Sequence, residues 1–217
     1  MGAGGALRDT SSSLLVPEST EDICAYCFKV LLAQLRSKPE PKLGAASHHE
    51  VGGLFVTWTT SEARLRGCMG TLKPVTLSHG LAHFAIRSSL GDRRFEPVDI
   101  CEVPGLTCRV SLLHSFEPCK DAYDWELGVH GVHVTFAVHS SPLCPCGSTT
   151  CYTATFLPEV MIEHSMTHNI AISKLIHKAG YCGRCDDSLI DSIEATRFQS
   201  SMKELPYRDF ASRHPAD

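Results

Sequence analysis

The sequence predicts an α+β fold built on a largely antiparallel sheet with flanking helices. Three observations support this class. The chain has 217 residues, of which 43% are hydrophobic, enough for one domain or one domain with a smaller lobe. Strand-like stretches follow one another across loops of hairpin length, which favours antiparallel pairing. Stretches with helical spacing of apolar residues separate these strands.

The first predicted elements lie near the N-terminus. Residues 1–17 are rich in Gly, Ala and Ser, so we expect a disordered tail. A helix is predicted to begin at Ser19, with Asp22 three residues later in an arrangement like a capping box. Residues 37–53 contain two prolines and several polar residues, which predicts a long loop. The apolar stripe of the helix consists of Ile23, Cys24, Cys27, Phe28, Leu31, Leu32 and Leu35.

A hairpin is predicted next. Residues 54–60 (LFVTWTT) are β-branched and aromatic, as half-buried strands are, and residues 65–71 are the return strand after a polar loop. Because side chains alternate along a strand, the sequence predicts that Arg66, Cys68 and Gly70 share one face.

The rest of the chain continues the same pattern. A second helix is predicted over 77–90, with Thr76 as its N-cap and Gly91 just beyond its end. The later elements are predicted strands over 106–113, 132–138 and 152–157, a helix over 170–179 stopped by Gly180, a strand over 190–198 and a short helix near Pro206.

Composition excludes several classes of protein. The net charge is −4 and no run of Lys and Arg stands out, so we expect neither nucleic acid nor an anionic membrane as a partner. No stretch approaches the roughly 20 apolar residues of a membrane span. Eleven cysteines without a secretion signal are typical of reduced thiols, which indicates the cytoplasm, the nucleus or both.

The segment LRGCMG, residues 65–70, combines a cation, a thiol and two glycines. A guanidinium two residues from a thiol favours the thiolate of Cys68. Glycines in a strand indicate a bulge or the close approach of a ligand or another backbone. In the alternative interpretation Cys68 is a small buried residue and the glycines only relieve crowding.

Five ordered segments carry a resemblance to a known family. They are LFVTWTT with LRGCMGTL, SSLGDRRFEPV, EVPGLTCRVSLL, DWELGVHGVHV, and TATFLPEV with TRFQSSM. From about Ile23 to Phe210 the chain resembles the AMMECR domain family. Two departures from the family pattern are Met69, where Ile is usual, and Ser165-Met166, where Gly-Trp is common.

The resemblance implies a fold and a site, but no reaction. It implies a domain over 18–214 with two unequal lobes and an antiparallel sheet, and places LRGCMG toward a cleft between the lobes. The family has no established reaction, so the sequence does not decide whether this protein is an enzyme. Related prokaryotic domains occur fused to, or encoded near, Memo-type and radical-SAM-type proteins, an association that gives no mechanism.

The family motifs supply further candidate site residues besides the Cys68 thiol. If Arg66, Cys68, Asp92, Arg94 and His130 meet in one cleft, they supply an anion clamp, a nucleophile and a base. Alternatively, the aspartate and Arg94 form a structural ion pair and the histidine only occupies a turn. We therefore expect a site that binds a small anionic or electrophilic ligand, with the thiol and the histidine as candidate catalytic groups.

The glycines have a role in the same hypothesis. Gly67 and Gly70 would let the backbone approach the ligand, beside an anion held by Arg66. The alternative function, from a different class, is a non-catalytic adaptor that docks a protein partner in this cleft.

A second constellation contains only cysteines. Cys144 and Cys146 form one close pair, and Cys182 and Cys185 form another. Four thiolates in two pairs are one way to bind zinc tetrahedrally. The alternatives are a redox-active Cys-x-x-Cys and ordinary surface or packing thiols, and no other cofactor is indicated.

Overall fold

A computed structural model describes residues 20–43, 48–139 and 149–215 of the chain. Groups of strands are separated by helices along it. The helices are α1 (Thr20–Leu35), α2 (Leu77–Leu90), α3 (Pro158–Glu163), α4 (His168–Lys178), α5 (Asp187–Asp191) and α6 (Tyr207–Arg213). The strands are β1 (Glu50–Val51), β2 (Gly53–Thr60), β3 (Leu65–Thr71), β4 (Val75–Thr76), β5 (Leu106–Pro118), β6 (Gly131–His139), β7 (Thr149–Phe156) and β8 (Glu194–Pro206).

The strands form an antiparallel sheet, which confirms the predicted fold class. Its six strands lie in the order β3-β2-β5-β8-β6-β7, and every neighbouring pair is antiparallel. The short strands β1 and β4 pair separately. The hairpin of β2 and β3 has the predicted bounds, because the polar loop between them satisfies hairpin geometry.

Two apolar cores give the domain its two lobes. In the first, α1 and α2 pack on the β2–β5 side, around the fully buried side chains of Phe28 and Trp58. The Trp58 indole Nε1–H donates to the carbonyl of Ala85 at 3.2 Å, so its polar atom is satisfied inside the core. The second core packs α4 against β6 and β7 and includes Trp125 and Phe136. The long strands β5 and β8 connect the two lobes.

The predicted strand over 190–198 is wrong in its bounds. A short helix, α5, covers the start of that stretch, because the Asp186 carboxylate accepts the backbone N–H of Leu189 and caps it. The strand β8 begins at Glu194 and continues to Pro206. The one-turn helix α3 was not predicted.

The Ser165-Met166 position lies between α3 and α4. Ser165 adopts a left-handed conformation with a φ of 47°, which glycine adopts without strain. Met166 is buried and packs into the second core, so it supplies the apolar anchor at this corner. The flexible Met side chain thus takes the packing role that the family resemblance gives to a larger aromatic residue.

Two further predictions concern residues that the structure does not describe. The N-terminal tail over 1–17 and the cap at Ser19 lie outside the described residues, and the first described helix begins at Thr20. Among the described residues, no helix combines the length and apolar character needed to cross a membrane.

Candidate functional site

Cys68 lies at the centre of β3, an edge strand of the six-stranded sheet. It is paired with Thr57 of β2, whose hydroxyl donates to the Cys68 sulfur at 3.2 Å. The next residue back, Gly67, is paired with Trp58 and faces α2. The thiol therefore lies on the opposite side of the sheet from the first core. We call this side, which carries Cys68 and Thr57, the Cys68 face.

The loop after α2 covers the free edge of β3 at Cys68. The backbone N–H of Cys68 donates to Asp92 Oδ2 at 3.0 Å, and its carbonyl accepts from Arg94 Nη2 at 3.3 Å. Arg94 also donates to Asp92, from Nε at 2.9 Å and from Nη2 at 2.6 Å. The carboxylate and guanidinium thus satisfy the backbone groups that another strand would bind. These bonds fix the position of the thiol.

Asp92 is ionised over nearly the whole pH range. The hydrogen bonds from Arg94, with the Cys68 and Arg94 backbone amides, lower the pKa of its carboxyl to about 2 despite burial. Asp92 is only 7% exposed, whereas the Arg94 side chain remains 56% exposed. The structural ion pair considered from the sequence is therefore present, and its cation still faces solvent.

Alternation along β3 predicted that Arg66 and Cys68 share one face, but the Arg66 side chain makes its contacts elsewhere. The pairing of β2 and β3 shifts between Trp58 and Thr59, so Arg66 lies in a bulge of β3. Its guanidinium donates to Glu102 at 2.9 and 3.0 Å and to the carbonyl of Glu96 at 2.8 Å. Arg66 is thus committed to a bidentate ion pair away from the thiol.

The surroundings of Cys68 do not favour its thiolate as the sequence predicted. Burial raises the pKa of the Cys68 thiol, and this effect outweighs the hydrogen bond from Thr57 and the nearby charges of Arg94 and Lys178, all of which lower it. Cys68 is therefore protonated near neutral pH. The cations that act on the thiol are Arg94 and Lys178, whereas Arg66 is not among them.

Lys178, at the end of α4, is a site residue that the sequence did not reveal. Its ammonium group donates to the carbonyl of Thr155 at 2.7 Å and lies 4.8 Å from the centre of the Phe156 ring. Much of its side chain is exposed, yet desolvation of the ammonium group lowers its pKa. No motif surrounds Lys178, and it is 110 positions from Cys68 in the chain.

Charged and polar residues extend across the Cys68 face. The strand register places Thr57 beside Arg109, and Arg109 beside Glu204 of β8. The Arg109 guanidinium pairs with Glu204 at 3.0 Å and with Glu163 of α3 at 2.8 Å. Arg109 is thereby paired with two carboxylates and Arg94 with one, which leaves Lys178 as the cation near the thiol without a carboxylate partner in the described chain.

The two glycines of the segment serve packing. A Cβ on Gly67 would overlap the carbonyl oxygen of Ser88 in α2, so the strand approaches the helix only without a side chain there. A Cβ on Gly70 would meet the Leu54 carbonyl and the Phe55 ring. The predicted close approach at Gly67 is therefore to α2, and that at Gly70 is to β2.

His130 is used locally. It lies in the turn before β6, where its side-chain Nδ1 accepts a hydrogen bond from the backbone N–H of Glu126 at 3.1 Å. The backbone N–H of His130 donates to the carbonyl of Glu126 at 2.9 Å. This agrees with the alternative in which His130 stabilises a turn. The described contacts of His130 do not join it to Cys68.

Only one of the two cysteine pairs lies within the described residues. Cys144 and Cys146 lie outside the described residues. Cys182 and Cys185 are both exposed, in the loop between α4 and α5. In the described parts of the chain, no group of three or more His, Cys, Asp or Glu side chains is arranged to hold a metal ion. Zinc at these pairs stays a prediction from the sequence.

Comparison with known proteins agrees with this fold. The family model for AMMECR1 matches residues 24–203. An uncharacterised protein of Arabidopsis thaliana is 36% identical over 200 residues, which are 89% of this chain and 88% of the relative. An uncharacterised protein of Schizosaccharomyces pombe is 33% identical over 194 residues, covering 88% of this chain and 94% of the relative.

A solved structure has the same fold. The crystal structure of an uncharacterised protein from Pyrococcus horikoshii matches with a TM-score of 0.70 at 23% identity, covering 86% of this chain and 92% of that one. The family model spans most of the chain and includes the Cys68 segment, the Asp92–Arg94 loop and Lys178. The chain therefore belongs to the AMMECR1 family.

Proposed function

We propose that the Cys68 face binds a small anionic ligand, held by Lys178 and Arg94 beside the thiol. The observation that carries this proposal is a lysine near the thiol that has no carboxylate partner within the described residues. Asp92 pairs with Arg94, whereas Lys178 forms no ion pair within the described residues. A cation without a carboxylate partner, placed near a second exposed cation, attracts an anion.

The surroundings of Lys178 suit this role. Its amine is anchored by the Thr155 carbonyl and the Phe156 ring, so little side-chain entropy is lost when a ligand binds. Partial desolvation strengthens its interaction with an anion relative to a lysine in bulk water. Arg94 is fixed by Asp92 and keeps its exposed side for a second contact.

The same geometry favours non-covalent binding over nucleophilic catalysis by Cys68. A thiol with a raised pKa carries little thiolate at neutral pH. The histidine predicted as its base is hydrogen-bonded in a separate turn. Cys68 then serves as a contact to the ligand and as a reporter of its presence.

The proposal is tested by protection of Cys68 from alkylation. The native protein is treated with iodoacetamide at fixed ionic strength, with inorganic phosphate or malonate replacing chloride, and Cys68 is read by mass spectrometry. We expect both anions to slow the modification of Cys68, while the exposed Cys101 keeps its rate.

Two lysine variants sharpen the test. Lys178→Met removes the unpaired charge, and Lys174→Met removes an exposed lysine on the same helix. Protection lost in Lys178→Met and kept in Lys174→Met supports the proposal. Equal protection in both variants, or no protection of Cys68 in the native protein, contradicts it.

A further inference from the structure

A pocket lies in the first lobe, between the C-terminal half of α1 and helix α6. The two helices and the segment 36–41 that follows α1 enclose an open pocket of about 240 Å³. None of the residues of the Cys68 face lines it. The pocket is therefore separate from the proposed anion site.

The floor of this pocket is apolar and rigid. Leu32 and Ala33 of α1 face Tyr207 and Phe210 of α6 across it. Phe210 is buried and stacks on the core residue Phe28, with ring centres 5.1 Å apart. An apolar floor built on the core retains its shape without a ligand, which lowers the entropy cost of binding.

The wall is formed where the chain leaves α1. Ser37 adopts a left-handed conformation, and the backbone N–H of Lys38 donates to the carbonyl of Ala33 at 2.8 Å. Pro39 and Pro41 follow on the pocket wall. Two prolines restrict this segment, so the pocket is largely formed in advance.

The charged side chains that line the pocket are basic, whereas Glu40 of the same segment interacts with Tyr26. Lys29, Arg36 and Lys38 are exposed at the pocket, and no Asp or Glu lines it. Within the parts of the chain that the structure describes, none of the three forms an ion pair. In a protein with a net charge of −4, this concentration of cations gives the pocket a local sign opposite to that of the whole molecule.

One polar atom at the pocket has no partner. His214 lines the pocket and stacks on Phe210, and its Nδ1 is buried without a hydrogen-bond partner in the described chain. Buried polar atoms are nearly always paired, because an unpaired one loses its hydration without compensation. Nδ1 is enclosed by the protein, so the His214 ring contributes to the pocket through its stacking on Phe210 and not through this atom.

We propose that this pocket docks an acidic peptide segment of a protein partner through one large apolar side chain. The volume is below the 300–1,000 Å³ typical of pockets for drug-sized ligands and suits a single side chain of the partner. The carboxylates flanking that side chain meet Lys29, Arg36 and Lys38 at the rim. The adaptor considered from the sequence docks its partner in the Cys68 cleft, whereas this pocket is a different surface and does not depend on the anion site.

The test is a selection from a phage-displayed random peptide library on the full-length chain. An enriched peptide is then synthesised and its binding is measured by fluorescence anisotropy. We expect enriched peptides to carry a Trp, Phe or Leu between Asp and Glu residues. The double variant Arg36→Glu/Lys38→Glu should weaken binding by about tenfold or more, as reversal of interface charges does.

Three controls separate the outcomes. Lys42→Glu changes an exposed lysine outside the pocket, and Lys178→Met disables the anion site, so both should leave peptide binding unchanged. Leu32→Gln should weaken binding through the pocket floor. Enrichment of non-acidic peptides, no enrichment, or equal binding to the charge-reversed variant overturns the proposal. A change of mass in sedimentation on charge reversal also overturns it, since the occupant would then be a second copy of the chain.

Discussion

The two faces of β3 differ in what they require of the sequence. On the face toward α2, Gly67 is confined by the Ser88 carbonyl, and any side chain there collides with a helix backbone. On the other face, Cys68 is surrounded by Thr57, Asp92, Arg94 and Lys178, and its environment is polar and partly open. Adjacent residues of one short segment thus serve packing and chemistry separately.

This difference shows how a motif is to be interpreted. The residues that make LRGCMG recognisable do not all belong to one site, because alternate positions of a strand face different surroundings. The bulge adds a third role, since it directs Arg66 to Glu102. The comparison predicts that substitutions on the α2 face change stability, whereas those on the Cys68 face change binding and titration.

The largest effect is expected at Gly67. Gly67→Ala places a methyl group against the Ser88 carbonyl, which is held in the helix backbone and cannot easily move. We expect a loss of about 3 kcal/mol in the free energy of unfolding, measured by urea denaturation. Gly105→Ala is the matched control, because a Cβ there meets open space. If both variants lose equally little stability, the strand and helix do not approach as described.

The next largest effect is expected at Asp92, which binds the free edge of β3 at the backbone N–H of Cys68. Its pKa of about 2 is below the usual value near 3.9, so its contribution is present above about pH 4 and is lost as the pH falls through 2. Asp92→Asn should remove about 2 kcal/mol at neutral pH and flatten the stability curve between pH 4 and 2. Asp191→Asn, at an exposed position, is the control. If the free energy of unfolding of Asp92→Asn falls between pH 4 and 2 as steeply as that of the native protein, the ion pair is contradicted.

The Cys68 face is expected to respond in titration. Alkylation of Cys68 by iodoacetamide should show a midpoint above that of an ordinary thiol, because burial raises its pKa. Thr57→Val removes the hydrogen bond to the sulfur and should move the midpoint higher still. Arg66→Ala should leave it in place, since Arg66 is paired with Glu102. A midpoint below the ordinary value that rises in Arg66→Ala would restore the thiolate hypothesis.

The smallest effect concerns Ser165, in the turn between α3 and α4. Ser165→Gly relieves a left-handed conformation and should raise the free energy of unfolding by about 0.5 to 1 kcal/mol. Thermal unfolding with Ser212→Gly, a serine without positive φ, as control measures this difference. A destabilised Ser165→Gly would show that the corner needs the serine side chain.

The parts of the fold that were predictable rest on local rules. The sequence reveals the alternation in 54–60, the bounds of 65–71, the end of α2 at Gly91 and the stop of α4 at Gly180, because these features depend on neighbouring residues. Alternation within 65–71 fails at Arg66, which lies in the bulge. The predicted start of the last strand was wrong because Asp186 caps a short helix in a stretch whose apolar residues also suit a strand.

The parts of the site that were missed depend on distant contacts. Lys178 reaches the thiol only through the packing of α4 against β7, and nothing near it in the sequence indicates this. Glu102 lies 36 positions from Arg66, so the sequence could not show that the guanidinium is already paired. The family resemblance covers both LRGCMGTL and SSLGDRRFEPV, so it grouped Cys68 with Asp92 and Arg94.

The central claim, that the Cys68 face binds a small anion, is tested most directly by an NMR titration. The ¹⁵N-labelled full-length protein is titrated with inorganic phosphate at constant ionic strength. Saturable shifts of the backbone amides of Cys68, Arg94 and Lys178, lost in Lys178→Met and kept in Lys174→Met, are the predicted result. Absent or non-saturating shifts at these residues, or shifts unaffected by Lys178→Met, would contradict the claim.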